Sequence, residues 1–353
     1  MKKQKNKLNR RVKQSKNRNK KATVKKDNVN INKFNRDSSL SLPNETLKLA
    51  VRALQSGKPK EAYSICLKAL RTNPADTEAL NLAGVAAFQN GESDQAISLL
   101  NTAISFRPDF SDAYNNLGNV QKGIGDLVAA EASYLRAVSC GPENLDAEFN
   151  LGIMLEAQGL FKRAEEAYLR CIQLCPNMVP ALFNLGNILK ALGRLNEAEI
   201  IYKRALDIEP ENPEVLINMG AVLTELSRKT EAIHFYRKAI GFKPDFAEAH
   251  YNLGIVLQEI NEQEKAVLAY KQALIFNPEH VGAVVNIGYC LKEMGSIEKA
   301  KGAYLQALKI APDYDKSLVN LGDLLLHQGD IDEAIKVCIK FLSEHPGNIS
   351  VLA

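Results

Sequence analysis

The apolar residues of the stretch from Ser111 to Asn144 are spaced as in two short helices. In the second half of this stretch, Ala130, Tyr134, Ala137 and Val138 follow the i, i+4, i+7, i+8 spacing that places side chains on one helical face. Leu117 and the aliphatic residues after it give the first half an apolar face of its own. The pattern therefore predicts two amphipathic helices.

The residues around these two helices predict where each begins and ends. Ser111 or Asp112 is expected to cap the first helix, and Gly125 to end it in the left-handed conformation. Asp126 then opens the second helix, and Pro142 prevents it from continuing. The stretch is thus predicted to form an antiparallel helical hairpin with a short turn.

This 34-residue pattern recurs along the chain without insertions. The prolines in register with Pro142 are Pro74, Pro108, Pro176, Pro210, Pro244, Pro278, Pro312 and Pro346. The glycines in register with Gly118 are Gly84, Gly152, Gly186, Gly220, Gly254, Gly288 and Gly322. A fixed period of one helical hairpin indicates a solenoid of stacked repeats.

Small residues recur in both helices of the repeat, and they predict close packing. The second-helix alanines are Ala62, Ala96, Ala130, Ala164, Ala198, Ala232, Ala266, Ala300 and Ala334. A glycine inside a helix costs about 0.5–1 kcal/mol relative to alanine, so we expect a compensating contact between each first-helix glycine and the second-helix alanine.

The repeat resembles the tetratricopeptide repeat family. The resemblance rests on the small residues Gly118, Ala130 and Ala137, the aromatic Tyr134, and the helix-ending Gly125 and Pro142. It implies an all-α fold, a right-handed α-solenoid or superhelix of about nine repeats. The predicted repeats are residues 43–76, 77–110, 111–144, 145–178, 179–212, 213–246, 247–280, 281–314 and 315–348.

Some repeats depart from this pattern. Ser227 and Asn261 replace the glycine of the turn, and serine accepts the left-handed conformation less readily than asparagine. In the ninth repeat, Cys338, Phe341 and Glu344 replace the expected residues, so its packing is the least certain. Residues 349–353 match the start of a tenth repeat, and we expect the ninth repeat to meet a second subunit or a downstream domain, unless those five residues simply fray.

Charge separates the N-terminal residues from the repeats. Residues 1–36 contain 15 Lys or Arg and one acid, Asp27, whereas the remaining residues have a net charge of −10. So few apolar residues do not support a core, and residues 1–42 are expected to be a disordered tail and linker. Three interpretations of the tail are open: specific binding of nucleic acid, nonspecific contact with polyanions, and a simple solvated segment.

The chain shows little sign of catalytic chemistry. Its five histidines occupy different repeat positions, and no spacing suggests a metal site, a catalytic triad or a phosphate-binding loop. Cys171 and Cys175 are interpreted as structural thiols. We therefore expect no cofactor, no metal and no catalytic residue. The absence of a long apolar run predicts no transmembrane segment, and a cytoplasmic location is the default expectation.

One recurring polar residue is not required by packing. Asparagine precedes the apolar residue and glycine of the first helix in seven consecutive repeats, at Asn116, Asn150, Asn184, Asn218, Asn252, Asn286 and Asn320. Asn119 and Asn187 extend the motif to Asn-Leu-Gly-Asn. A side-chain amide offers both a donor and an acceptor, so such a row suits the backbone of an extended peptide of any sequence. Hydrogen bonding within the scaffold alone is the competing interpretation.

The row is similar to the asparagine ladder in the superhelix of the O-linked N-acetylglucosamine transferases, which holds the backbone of protein substrates. The resemblance implies that these nine asparagines bind peptide. Two functions are open. The first is a noncatalytic interaction scaffold for extended peptide segments, and the second is the substrate-recruiting part of a transferase whose catalytic domain lies outside this sequence.

Overall fold

The computed structural model describes residues 45–344, without the side chains of residue 340 and residues 342–344. The expected tail at residues 1–42, the residues 43, 44 and 345–348 of the predicted repeats, and the start of a tenth repeat at 349–353 lie outside the described residues. Within 45–344 the structure contains 18 α-helices and no strand. The prediction of an all-α fold is confirmed.

The described helices fall into two compact units, which divide between residues 158 and 159. The helices of the first unit are α1 (Glu45–Gln55), α2 (Pro59–Thr72), α3 (Thr77–Gln89), α4 (Ser93–Phe106), α5 (Ser111–Ile124), α6 (Leu127–Cys140) and α7 (Leu145–Ala157). The helices of the second unit are α8 (Phe161–Leu174), α9 (Val179–Ala191), α10 (Leu195–Ile208), α11 (Pro213–Glu225), α12 (Lys229–Phe242), α13 (Ala247–Glu259), α14 (Gln263–Phe276), α15 (Val281–Glu293), α16 (Ile297–Ile310), α17 (Asp315–Gln328) and α18 (Ile331–Glu344).

Within each unit, consecutive helices pack against each other as stacked hairpins. The odd-numbered helices are the first helices of the hairpins, and each of them also contacts the next odd-numbered helix of its unit, as α11 contacts α13 and α13 contacts α15. The even-numbered helices pack mainly between odd-numbered neighbours. The first helices therefore stand side by side, so residues at equal positions on them form rows. This is the predicted α-solenoid, although the exact repeat boundaries stay a prediction.

The turns show which residues end and begin the helices. Gly125 adopts the left-handed conformation with φ 88°, as predicted, and the Asp126 carboxylate accepts a hydrogen bond from the backbone N–H of Ala129 at 3.0 Å. Ser227 and Asn261 also have positive φ, at 63° and 62°. These two residues take the backbone conformation of the glycine they replace, which confirms their role as turn residues.

The predicted cap at Ser111 or Asp112 is wrong. Helix α5 begins at Ser111, Phe110 is the residue that flanks it, and no side chain caps its first turn. The Ser111 hydroxyl instead donates to the backbone oxygen of Ala137 at 2.7 Å. It therefore joins the two helices of the hairpin, because a side chain already inside the helix is placed to reach its neighbour.

The expected contact between glycine and alanine also needs a correction. Ala130 and its counterparts are buried as expected, but the first-helix glycine faces the tyrosine one turn further along the second helix. A Cβ built on Gly186 would lie 2.5 Å from Cε1 of Tyr202, and one built on Gly118 would lie 2.7 Å from Cε1 of Tyr134. The glycine is thus needed because an aromatic ring lies flat over it.

Candidate peptide-binding face

The seven asparagines of the predicted row lie on first helices, and all of them are partly exposed. In the first unit they are Asn116 on α5 and Asn150 on α7. In the second unit they are Asn184, Asn218, Asn252, Asn286 and Asn320, on α9, α11, α13, α15 and α17. Because neighbouring first helices contact each other, each unit presents its asparagines as a row along one side.

In the first unit the row is joined by amide-to-amide hydrogen bonds. The Nδ2 of Asn116 donates to Oδ1 of Asn81, and the Nδ2 of Asn150 donates to Oδ1 of Asn115, both at 2.9 Å. Asn81 and Asn115 occupy the repeat position before the row and are buried. Each bond uses one N–H of the row asparagine and leaves its other N–H and its carbonyl oxygen for further partners.

In the second unit the row contacts tyrosine hydroxyls and a lysine. The Nδ2 of Asn184 donates to the hydroxyl of Tyr168, and the Nδ2 of Asn286 donates to that of Tyr270, both at 3.2 Å. The Oδ1 of Asn218 accepts from the Nζ of Lys190 at 2.6 Å. Each of these asparagines therefore uses one side of its amide within the scaffold.

Asn252 and Asn320 differ from the rest of the row. Their side chains form no hydrogen bond with any residue of the 45–344 range, although both are partly exposed. Asn119 and Asn187 have a scaffold contact instead, because their Oδ1 atoms accept from the hydroxyls of Tyr134 at 2.8 Å and Tyr202 at 2.7 Å. The side-chain amides of the predicted site residues thus range from those with no hydrogen bond to the scaffold to those with one.

The buried tyrosines connect this face to the core. Their rings are enclosed, and burial raises the pKa of Tyr236 to about 12, so the hydroxyl stays a neutral donor at physiological pH. The hydroxyl of Tyr270 donates to Oε1 of Gln258 at 2.8 Å. The hydroxyl of Tyr304 is buried and has no partner within the described part of the chain. Among these hydroxyls, those of Tyr168 and Tyr270 accept from the row asparagines Asn184 and Asn286.

Carboxylates flank the row on three consecutive first helices of the second unit. Counting from the asparagine, they lie four residues before it or seven residues after it, and a helical repeat of 3.6 residues places all these positions on one stripe. We call the residues of this stripe the acidic face. The carboxylates are Glu214 and Glu225 on α11, Glu248 and Glu259 on α13, and Glu293 on α15.

The five glutamates of the acidic face differ in their exposure and in their charged neighbours. Glu248 is partly exposed, and the other four glutamates are exposed. Oε2 of Glu259 lies 3.2 Å from Nζ of Lys229, and Oε2 of Glu248 lies 4.0 Å from Nε2 of His280. No Lys or Arg stands on the same stripe of α11, α13 or α15. The acidic face therefore presents negative charge on both sides of the asparagine row.

Sequence reasoning found only part of this arrangement. Glu214 and Glu248 lie near helix starts, where acids complement the helix dipole, and no role was predicted for Glu225, Glu259 or Glu293. The separation of 11 residues, about three helical turns, between Glu214 and Glu225 and between Glu248 and Glu259 was the available signal. The engagement of Asn119 and Asn187 with tyrosine hydroxyls could not be read from the sequence, because it depends on where the second helix lies.

The described residues offer little for catalysis or metal binding. No group of three or more His, Cys, Asp or Glu residues in the 45–344 range could hold a metal ion. The six cysteines form no disulfide within the described residues, and burial raises the pKa of Cys66 to about 12 and that of Cys290 to about 11. Such thiols stay protonated and unreactive. No helix of the described chain is long and apolar enough to cross a membrane.

Comparison with known families agrees with this architecture. Five models described as tetratricopeptide repeat match the chain, at residues 53–120, 111–140 and 281–314, 143–211 and 177–245, 247–280, and 303–336. Together they cover most of the described helices. The chain belongs to the tetratricopeptide repeat family.

Solved structures show the same fold. The anaphase-promoting complex hetero-tetramer Cut9–Hcn1 matches 79% of this chain and 55% of its own, with 17% identity and a TM-score of 0.54. PilF of Pseudomonas aeruginosa matches 60% of this chain and 96% of its own, with 20% identity and a TM-score of 0.52. YrrB, described as a repeat protein with an unusual peptide-binding site, matches 52% of this chain and 95% of its own, with 21% identity and a TM-score of 0.47.

No curated protein matches the chain significantly. The likenesses to Cut9–Hcn1 and PilF, with TM-scores above 0.5, establish the fold alone, since the sequence identities are low. The finer resemblance to the transferase superhelix stays a prediction.

Proposed function

We propose that the chain is a noncatalytic scaffold that binds extended peptide segments of partner proteins through the asparagine row. The observation that supports this most directly is the partial exposure of all seven row asparagines. An extended peptide presents its N–H and C=O groups at regular intervals, and an amide side chain can donate to one and accept from the other. The contacts do not depend on the peptide's side chains, so recognition tolerates many sequences.

The scaffold bonds of the row are compatible with this function. Asn116 and Asn286, for example, each donate one N–H to a neighbouring side chain. This hydrogen bond fixes the amide and leaves its carbonyl oxygen available. A fixed amide loses less conformational entropy when a ligand binds. Asn252 and Asn320 are the row positions best placed for a ligand, because both are partly exposed and make no hydrogen bond within residues 45–344.

The experiment is capture of peptides from a synthetic peptide array by the full chain and by its Asn184→Ala, Asn218→Ala, Asn252→Ala triple variant. Each net hydrogen bond contributes about 0.5–1.5 kcal/mol, so losing three should weaken capture by about tenfold or more. A matched control replaces Asn177, Asn196 and Asn277 by Ala, which are exposed in the same unit but off the row. The single variant Asn252→Ala guards against a folding defect.

Equal capture by the row variant and the control variant would contradict peptide binding by the row. The thermal midpoint of each variant is measured beside capture, because Asn184 also bonds to Tyr168.

Other expectations about partners stay predictions. Polyanion contact through residues 1–36 and an interface at the ninth repeat both depend on residues outside the described range. The role as the substrate-recruiting part of a transferase has no observation in the described residues that favours it. A cytoplasmic location also stays a prediction.

A further inference from the structure

The acidic face of the second unit combines two kinds of recognition. The row asparagines Asn218, Asn252 and Asn286 suit a peptide backbone, and Glu214, Glu225, Glu248, Glu259 and Glu293 stand on both sides of them. On one helix the two flanking carboxylates are about 16 Å apart along the axis, since each residue rises 1.5 Å. A peptide that follows the asparagines therefore runs between two lines of negative charge.

Both flanking carboxylates are present on α11 and α13, whereas α15 has only Glu293, and α5 and α7 have one acid each, Asp112 and Asp146. On α9 the corresponding positions are Pro180 and Ala191, and on α17 they are Lys316 and His327. The carboxylates thus concentrate on α11, α13 and α15. Acids near a helix start also complement the helix dipole, but Glu225, Glu259 and Glu293 lie in the last turn, where the dipole disfavours negative charge. Glu259 is paired with Lys229 at 3.2 Å, whereas the helix dipole does not account for Glu225 or Glu293 at these positions.

A buried hydroxyl next to this face is an independent sign of a missing partner. The Tyr304 side chain is fully buried and its hydroxyl has no hydrogen-bond partner within residues 45–344. The hydroxyls of Tyr168 and Tyr270 each accept a hydrogen bond from a row asparagine on the next first helix, Asn184 and Asn286. Burial raises the pKa of Tyr304, and Glu293 and Asp323 are among the nearby groups that add to the rise. An unpaired donor at this place suits an acceptor such as a ligand carbonyl.

The chain itself contains a segment of matching chemistry. Residues 1–36 carry 15 Lys or Arg and one acid. The 44 residues before α1 can span up to about 145 Å when extended, so their attachment at α1 does not confine them to the nearest helices. Opposite charges of this density attract strongly at low ionic strength and are screened within about 10 Å at 0.1 M salt.

We propose that the acidic face binds the basic segment 1–36 of the same chain, which thereby competes with external peptide ligands. The proposal rests on the proposed peptide-binding function of the row and names a basic extended segment as its ligand. Asparagine contacts hold the backbone of the segment, and the flanking glutamates select its Lys and Arg side chains. External ligands of this face are then basic segments as well.

The test is zero-length carbodiimide cross-linking of the full chain, which joins a lysine amine to a carboxylate in contact with it. Mass spectrometry should find cross-links from lysines of residues 1–36 to Glu214, Glu225, Glu248, Glu259 or Glu293. Glu166, Glu264 and Glu279 are exposed glutamates of the same unit off the face and serve as internal controls. An equal mixture of isotope-labelled and unlabelled chains distinguishes links within one chain from links between copies.

Glu→Gln variants test whether the charge of the face causes the cross-linking. Glu214→Gln, Glu225→Gln and Glu293→Gln together should reduce cross-linking at the remaining Glu248 and Glu259 by about threefold or more, since each exposed pair contributes modestly. Glu166→Gln, Glu264→Gln and Glu279→Gln change the net charge equally and should leave it unchanged. Raising NaCl to about 0.5 M should abolish the preference for the face.

Three outcomes would overturn the proposal: cross-links that favour the control glutamates, cross-links that form only between differently labelled chains, or no difference between the two triple variants. If one of these outcomes is found while capture on the peptide array still depends on the row asparagines, only the proposal about residues 1–36 is contradicted, and the peptide-binding function is not. Loss of row-dependent capture removes that function independently, so the two failures are distinguishable.

Discussion

At the scale of single residues, the repeated glycine of the first helix is explained by the tyrosine that covers it. The ring of Tyr202 lies so close to Gly186 that a Cβ would approach within 2.5 Å, and Tyr304 crowds Gly288 to the same degree. Gly322 has the same repeat position, but no atom of the described residues lies within 4 Å of a Cβ built on it. The ninth repeat has Cys338 where repeats three to eight have tyrosine, so no ring covers this glycine.

This difference predicts opposite effects of the same substitution. Gly186→Ala should lower the free energy of unfolding by about 1–3 kcal/mol, because the methyl group overpacks against the Tyr202 ring. Gly322→Ala should raise it by about 0.5–1 kcal/mol, because alanine is the better helix former and meets no neighbour. Urea unfolding of both variants checks this. A similar loss in both would mean that the ring contact is not what requires glycine.

The same residues show what the sequence could and could not predict. The recurrence of Gly and Pro every 34 residues predicted the helical hairpins and the left-handed turns, since those features depend on local backbone chemistry. Whether glycine faces Ala198 or Tyr202 depends on how far one helix is shifted along the other, and no local signal sets that shift. The cap at Ser111 was wrong for a related reason, because its hydroxyl found a partner on the next helix.

At the scale of helices, arginines in the turns of the second unit connect adjacent hairpins. Arg194 donates to Glu165 on α8 at 2.6 Å and to Glu197 on α10 at 2.5 Å. Arg228 repeats this arrangement one hairpin later with Glu199 and Glu231. In both cases the arginine precedes a second helix, and one of its partners lies on the second helix of the preceding hairpin. Each group of one arginine and two glutamates, which we call an ion triad, links the second helices of neighbouring hairpins.

Removing one of these arginines predicts a small, salt-dependent loss of stability. Arg194→Met should lower the thermal midpoint by about 1–2 °C at low salt, and by less in 0.5 M NaCl, because exposed ion pairs are weak and screened. Hydrogen bonding to Arg194 lowers the pKa of Glu197, so its contribution is present above the ordinary carboxyl pKa and is lost as the pH falls through the lowered value. Thermal melts at neutral and acidic pH measure both effects.

A matched control is Arg237→Met, since Arg237 is exposed in the same unit and forms no ion pair within the described residues. An equal fall of the midpoint in both variants, at either salt concentration, would show that the triad adds nothing beyond general charge effects.

At the scale of the whole molecule, the separation of charge along the chain gains a structural meaning. The net charge of +4 conceals a basic segment and an acidic remainder, and sequence composition alone showed that much. Composition did not show that five of the acids form two lines on neighbouring helices. The packing of α11, α13 and α15 side by side is what brings positions 34 residues apart into register. A row of amides between two lines of carboxylates predicts a ligand that is extended and basic.

If residues 1–36 occupy this face, removing residues 1–42 should strengthen the binding of an external basic peptide. A tethered segment acts at an effective concentration of about 1 mM, so for an intrinsic dissociation constant near 0.1 mM the apparent affinity should rise by about tenfold. The measurement is fluorescence anisotropy with a labelled synthetic peptide of residues 1–36, titrated with the full chain and with the shortened chain. Thermal midpoints of both chains confirm that the repeats are unaffected. An uncharged peptide of equal length that binds the same row should gain by the same factor, because the segment competes with every ligand of the face. Equal or weaker binding of the basic peptide by the shortened chain would show that the segment does not compete for the acidic face.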